Sequence, residues 1–329
     1  RDIIKQYTKE NKAEIAKWIG ERKASDDALI TQQVKDIIET VIAEGDTALI
    51  KYTQAFDHVS LNSLKVSEEE LKQAIAKVDR EFIQYMKEAK DNIIFYHEAQ
   101  KKQGFELTKD NGVYLGQRII PLQRVGVYVP GGRAAYPSSV LMNVLPARIA
   151  GVAEIIMVTP PNAEGGIDPY IAAAAEIAGV DQIYKVGGAQ AVAALAYGTN
   201  SIPRVDKIIG PGNIYVATAK KLVYGQVDID MIAGPSEILV IADEQANPRY
   251  IAADLLSQAE HDPMASAILL TTSTELADAV TEQLKLQTAR LSKQEIIKES
   301  LANYGAIMVL DTLAECIELS NQLAPEHLE

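Results

Sequence analysis

The sequence predicts an α/β protein built on parallel sheets. Three observations carry that expectation. Short apolar runs recur at Val125–Val129, Glu154–Val158, Gln182–Val186 and Asp206–Ile209. Alanine-rich segments of helix length separate them, at 140–150, 167–178, 189–197 and 214–223. Each run ends in a loop of Gly or Pro: Pro130-Gly131-Gly132, Thr159-Pro160-Pro161, Gly187-Gly188-Ala189-Gln190 and Gly210-Pro211-Gly212-Asn213. Strand alternating with helix at this spacing reads as a parallel sheet covered on both faces. In such sheets ligands bind beyond the carboxyl ends of the strands.

The first hundred residues read as helices. Ile30, Val34, Ile37, Ile38, Val41 and Ile42 recur at helical spacing and form one apolar stripe. Gly45-Asp46 ends that helix. Ser67, with Glu70 three positions on, opens the next as a capping box, and Leu71, Ile75 and Val78 continue its buried face. A third helix is expected from Glu81 to about Gln100. Val113, Leu115, Arg118, Ile119 and Pro121 read as extended chain leading inward. Nothing in this stretch has catalytic spacing, so it reads as a scaffold for packing and pairing subunits. The alternation resumes after Ala233-Gly234-Pro235-Ser236. It runs strand 237–241, helix 248–260, strand 267–270, helices 274–286 and 294–301, and strand 306–310.

Composition narrows the function. At roughly 100–200 residues per domain, 329 residues suggest two domains. The 32 Lys and Arg against 45 Asp and Glu give a net charge of −13, which argues against a general nucleic-acid surface. Cys316 is the single cysteine, so no intrachain disulfide forms and a reducing, cytoplasmic setting fits. No segment reaches the ~18 apolar residues that span a bilayer, and no signal peptide is read at the start. The chain begins without Met and stops directly after Pro325-Glu326-His327-Leu328, as expected of a piece of a longer protein.

Four places carry candidate chemistry. No G-x-G-x-x-G follows a strand, so the usual dinucleotide fingerprint is absent. The amides of Gly210-Pro211-Gly212-Asn213 suit a phosphate or a ribose hydroxyl; the same residues also suit a tight strand-to-helix turn capped by Asn213. His58 and His97 read as surface or packing residues. Gln258 and His261 lie three apart on one helix face and offer two metal donors, or His261 caps the helix end. Glu326 and His327 pair a carboxylate with an imidazole, which suits acid–base work if the backbone turns there.

Read together, these segments are identified by a resemblance. The runs 124–132, 186–191, 207–213, 233–237, 255–261 and 325–328 occur in the order and with the residues of the histidinol dehydrogenase family, and the chain closely resembles it from its helical start to Glu329. The resemblance implies oxidation of L-histidinol through L-histidinal to L-histidine, with two NAD⁺ and one zinc. It implies two incomplete Rossmann-like domains. One is discontinuous, 25–127 and 235–329, on the zinc and substrate side; the other, 128–234, lies on the NAD side. Residues 1–24 are expected to form an N-terminal helical segment. The family's nucleotide contacts fall on Tyr128, Gln190 and Asn213. Its substrate contacts fall on Ser236, Gln258, His261 and His327, two zinc ligands on Gln258 and His261, and the catalytic pair on Glu326 and His327. The family is a homodimer whose C-terminal domain, with an Asp and a His that complete the zinc site, lies beyond residue 329. Weak zinc binding and poor turnover are therefore expected of these residues alone. Two other functions fit the same residues: a metal-dependent hydrolase, which would turn over without NAD⁺, and a non-catalytic nucleotide-binding or assembly module.

Overall fold

The computed structural model describes residues 3–11, 14–15, 17–18, 28–131, 136–232 and 236–329. Gly132 and the run Ala233-Gly234-Pro235 lie outside the described residues, as does most of 12–27. The chain divides into two compact units: Asp27–Ala233, and Arg1–Asp26 with Gly234–Glu329. The first strand, β1 (Lys5–Tyr7), belongs to the second of these, at a position where the sequence suggests helix.

The unit Asp27–Ala233 opens with helices Ala28–Glu44, Asp46–Asp57, Glu68–Ile75 and Arg80–Glu98. A hairpin of β2 (Phe105–Thr108) and β3 (Tyr114–Gln117) follows. Its parallel sheet contains β4 (Arg124–Tyr128), β5 (Glu154–Thr159), β6 (Gln182–Lys185), β7 (Lys207–Ile209) and β8 (Asp228–Ile229), in the order β6-β5-β4-β7-β8. Helices Pro137–Ile149, Pro169–Ala178, Gly188–Tyr197 and Ile214–Val223 make the crossovers. A parallel sheet needs them, because each strand must be re-entered from the same end.

Side chains alternate between the two faces of this sheet. Val125, Val127, Ile155 and Met157 pack with residues of Pro137–Ile149 and Pro169–Ala178. Tyr128, Ile156, Val158 and Tyr184 pack with residues of Gly188–Tyr197 and Ile214–Val223. The helical stretch is shared between the same two cores. Val34, Ile38, Val41 and Leu49 join the second, and Ala74, Met86, Leu71 and Ile93 join or pack on the first.

That sharing corrects the expected domain division. The resemblance implies that 25–127 share a domain with 235–329, whereas residues of helices Ala28–Glu44, Asp46–Asp57, Glu68–Ile75 and Arg80–Glu98 pack in the two cores of the sheet of 124–229. A boundary at 127/128 would cut β4 itself. Burying one Val, Leu or Ile is worth roughly 1.5–3 kcal/mol. Four such side chains from Ala28–Asp57 approach the net stability of a whole domain, about 5–15 kcal/mol.

Local signals were met in part. Gly45, at φ 57°, separates the first two helices. Ser67 Oγ accepts from the Glu70 amide at 3.1 Å. The carboxylate of Glu70 bonds Lys185 Nζ at 2.9 Å, a charge partner for a buried lysine. The segment around Val113 and Leu115 does not lead inward: every residue of β2 and β3 is exposed.

The other unit is a second parallel sheet. Its strands β9 (Glu237–Ala242), β10 (Ser266–Thr271), β11 (Ala306–Val309) and β12 (His327–Leu328) join β1 in the order β1-β11-β10-β9-β12. One face packs Ile238, Val240, Leu269 and Ile307 with residues of helices Pro248–Ala259, Thr274–Thr288 and Gln294–Tyr304. The other packs Leu239, Ile268, Leu270 and Met308 with Trp18, Ile15 and Cys316, the last from helix Leu313–Leu323. Among the described residues no helix is long and apolar enough to cross a membrane.

Candidate functional site

The unit Asp27–Ala233 has a switch point. From β4 the chain winds outward through β5 to β6, then returns to β4's other side as β7 and winds on to β8. Neighbouring connections therefore diverge at the carboxyl ends of β4 and β7, where open α/β sheets take their ligands. Three loops converge on this edge. Pro130-Gly131 follows β4, Gly187-Gly188 follows β6 and Gly210-Pro211-Gly212-Asn213 follows β7. A Cβ at Gly131 would crowd the Pro160 ring at 3.1 Å, and one at Gly210 would collide with the Tyr128 carbonyl. Gly210 also holds φ 110°, which an L side chain rarely adopts.

Tyr128, Gln190 and Asn213 all fall on this edge, but not as three exposed contacts. Tyr128 is buried, and its hydroxyl accepts the Gly188 amide at 3.0 Å. Burial pushes its pKa up to about 12; the Gly188 bond opposes the rise and the charge of Asp57 adds to it. Gln190 is 1% exposed, and its Oε1 is buried with no hydrogen-bond partner. It lies 2.5 Å from where a Cβ on Gly188 would sit, so Gly188 leaves room for the folded-back side chain. Asn213 is exposed and caps helix Ile214–Val223, accepting from the Tyr215 amide at 3.1 Å and the Val216 amide at 3.2 Å. The helix-cap reading of Asn213 is thus what the geometry shows. An unpaired buried acceptor normally costs on the order of 1–3 kcal/mol, and Gln190 retains one at a glycine-lined edge. The residues fit a nucleotide there.

In the other unit the candidate residues collect at the opposite edge of the sheet. Ser236 immediately precedes β9, and its carbonyl accepts the Ser266 amide at 2.9 Å, where β10 begins. Helix Pro248–Ala259 leaves the carboxyl end of β9 and must return to the amino end of β10. Gln258 and His261, at its carboxyl end, are carried to that same amino edge. Gln258 is buried and His261 exposed. Glu326 and His327 arrive there as well, because β12 pairs with β9 in parallel with His327 opposite Ile238. Glu326 Oε2 accepts the Glu237 amide at 3.3 Å. His327 Nε2 lies 3.9 Å from Glu326 Oε2, and both side chains are about half exposed, 55% each.

The turn this pair needs comes one residue before Pro325. Ala324 caps helix Leu313–Leu323 in the left-handed region, φ 49° and ψ 61°. Besides His58, it is the sole non-glycine residue with positive φ among the described residues. Such a conformation costs of order 1–3 kcal/mol and persists where the surroundings fix it. The chain also bends at Glu326 itself. Neighbouring side chains that would diverge on a regular strand are thereby brought together.

A family model described as histidinol dehydrogenase matches residues 20–329. The chain belongs to the histidinol dehydrogenase family. The histidinol dehydrogenase of Clostridium acetobutylicum is 58% identical over 311 residues, 94% of this chain and 72% of that protein. That of Bacillus cereus is 54% identical over 328 residues, 100% of this chain and 76% of that protein. The crystal structure of histidinol dehydrogenase from Elizabethkingia anophelis matches with a TM-score of 0.90 at 39% identity, covering 100% of this chain and 76% of that one. Membership of the histidinol dehydrogenase family makes the chain an oxidoreductase of histidine biosynthesis.

Several residues of these edges were missed in the sequence. Lys220, Asp230 and Glu237 all contact a candidate loop or residue. A signal for Lys220 was present: it shares the buried face of its helix with Val216, Ala219 and Val223. A lysine at such a register implies a buried partner.

The Tyr128 phenol gives a pH test. Its folded pKa lies above the ordinary value of 10, so its contribution to stability is complete below pH 10 and is lost as pH rises to about 12. The loss is about 2–3 kcal/mol. Urea unfolding between pH 9 and pH 12 is expected to show a steeper fall in stability for the wild type than for Tyr128→Phe. Parallel curves would mean that the phenol is not buried as described.

Proposed function

We propose that this chain oxidises L-histidinol through L-histidinal to L-histidine, with NAD⁺ accepting the electrons. The observation that supports the reading most directly is the Glu326–His327 pair, 3.9 Å apart and open to solvent beside Ser236. A neutral imidazole nitrogen accepts a proton and suits proton removal from an alcohol. His327 takes the hydroxyl proton of L-histidinol as the carbinol hydride departs. Glu326 takes a proton from the water that adds to L-histidinal, and His327, having released its first proton to solvent, takes the hydroxyl proton of the hydrate in the second oxidation. NAD⁺, when bound, accepts one hydride in each step. Tyr128, Gln190 and Asn213 are the residues we assign to holding it. Ser236 is assigned to the substrate.

Gln258 and His261 are the donors we assign to zinc. A zinc site takes four ligands, or three with an open position. Among the described residues no three His, Cys, Asp or Glu come together for a metal, so these residues do not complete a zinc site. The proton acceptors in both oxidations are side chains of this chain, His327 and Glu326.

The assembly we propose is a homodimer in the cytoplasm, a compartment that suits a free, buried Cys316. Phe95 and Tyr96, near the end of helix Arg80–Glu98, are exposed, as are Phe105, Leu107, Tyr114 and Leu115 of the hairpin that follows. Apolar surface of this extent marks an interaction site, and a lone two-stranded hairpin is marginal without a partner. Sedimentation is expected to give twice the chain mass, and a lower association constant for Leu107→Glu. A monomer at micromolar concentration would contradict the assembly.

The chemistry is tested by NADH absorbance with L-histidinol. His327→Asn is expected to slow NADH formation by about 10²–10⁴-fold. Glu326→Gln is expected to slow the second oxidation more than the first and to release L-histidinal. Wild-type rates and product ratios in both variants would overturn the assignment.

A further inference from the structure

The Gly210 turn is held by the ion pair of Lys220 with Asp230. Lys220, 3% exposed, donates from Nζ to the Gly210 carbonyl at 2.9 Å and pairs with Asp230 Oδ1. Asp230 Oδ2 accepts the Gly210 amide at 2.8 Å, and Oδ1 accepts the Met231 amide at 2.6 Å. The amide and carbonyl of one glycine are therefore both fixed by side chains that are bonded to each other. That glycine holds φ 110° against the end of β4, with no room for a Cβ.

We infer that Lys220 and Asp230 are positioning residues for nucleotide binding, fixing the Gly210 peptide so that Pro211-Gly212-Asn213 is presented in one conformation. The inference rests on the nucleotide reading of this edge. Its physical ground is the cost of the pair. Burying an ammonium costs several kcal/mol, and the Lys220 side chain is 3% exposed while that of its partner Asp230 stays partly open to solvent; an apolar side chain in place of the lysine often serves stability as well or better. An ion pair retained at this place supplies direction that an apolar pair cannot: a donor for one carbonyl and an acceptor for one amide. Pre-ordering a loop removes the entropy that a ligand would otherwise have to overcome. The carboxylate also holds the Met231 amide, close to where the chain leaves this unit after Ala233. The turn and that exit segment thus share one anchor.

The test is NAD⁺ affinity by calorimetry, measured well below the Tm of each protein, for wild type, Asn213→Asp, Asp230→Asn and the double variant Lys220→Met/Asp230→Leu. Asn213→Asp keeps the helix cap and places a carboxylate against the nucleotide. It is expected to weaken binding, and unchanged binding would overturn the nucleotide reading itself. The double variant is expected to keep or raise its Tm while its Kd for NAD⁺ rises about tenfold. Asp230→Asn, which preserves shape, is expected to raise Kd at least threefold and to speed exchange of the Gly210 amide. If Asn213→Asp weakens binding but the folded clamp variants bind as wild type does, the pair is structural only and the inference fails.

Discussion

The short parallel pairing of β12 with β9 is the contact on which the candidate chemistry depends. It consists of two residues in register, His327 opposite Ile238 and Leu328 opposite Leu239. Two further bonds close it: the Glu329 amide to the Leu239 carbonyl at 3.0 Å, and the Ile241 amide to the Glu329 carbonyl at 2.9 Å. Without it, Glu326 and His327 would be an acid and a base on a free segment. With it, one carboxylate oxygen of Glu326 is anchored by the Glu237 amide, and the imidazole stands beside it. The left-handed Ala324 makes the pairing possible by turning the chain out of helix Leu313–Leu323 and onto the sheet edge.

The two sheets use opposite edges, and helix polarity suggests why. At the carboxyl edge of β4 and β7, helices begin, and helix N-termini favour anions such as a pyrophosphate. At the amino edge of β9 and β10, helix Pro248–Ala259 ends beside His261, and helix C-termini favour cations. A cationic substrate such as an amino alcohol is better placed there than at the other edge. In the proposed assignment the nucleotide edge follows the rule that ligands bind beyond the carboxyl ends of parallel strands, and the acid–base edge departs from it.

Much of the architecture was legible because it rests on local patterns. The stripe from Val34 to Val41, the apolar runs of β4, β5 and β6, and the cap at Ser67 are each set within a few residues. The grouping of helices with sheets was not legible. Which unit receives Ala28–Glu98 is decided by long-range packing of Val34, Leu49 and Met86, and no local signal encodes it. β1 and β12 were missed because three and two residues carry no periodicity. The hairpin was misread because its apolar residues lie on an exposed surface, so hydrophobicity pointed inward where the chain does not go. Gln258, His261, Glu326 and His327 were candidates from spacing and from the resemblance; their arrival at one edge of the sheet follows from the pairing of β12 with β9 and the return of helix Pro248–Ala259, which no local pattern encodes. Lys220 and Asp230 needed the fold, since ten residues of sequence separate them and only the return to β8 brings them together.

Amide hydrogen exchange at Glu329 and Ile241 is the decisive measurement. Slow exchange is expected at both, because each amide donates across the β9–β12 pairing that seats Glu326 and His327. Exchange at the rate of free peptide at both positions, with the β9–β10 amides still protected, would show that the pairing does not form. The acid–base pair would then have no fixed place on the fold.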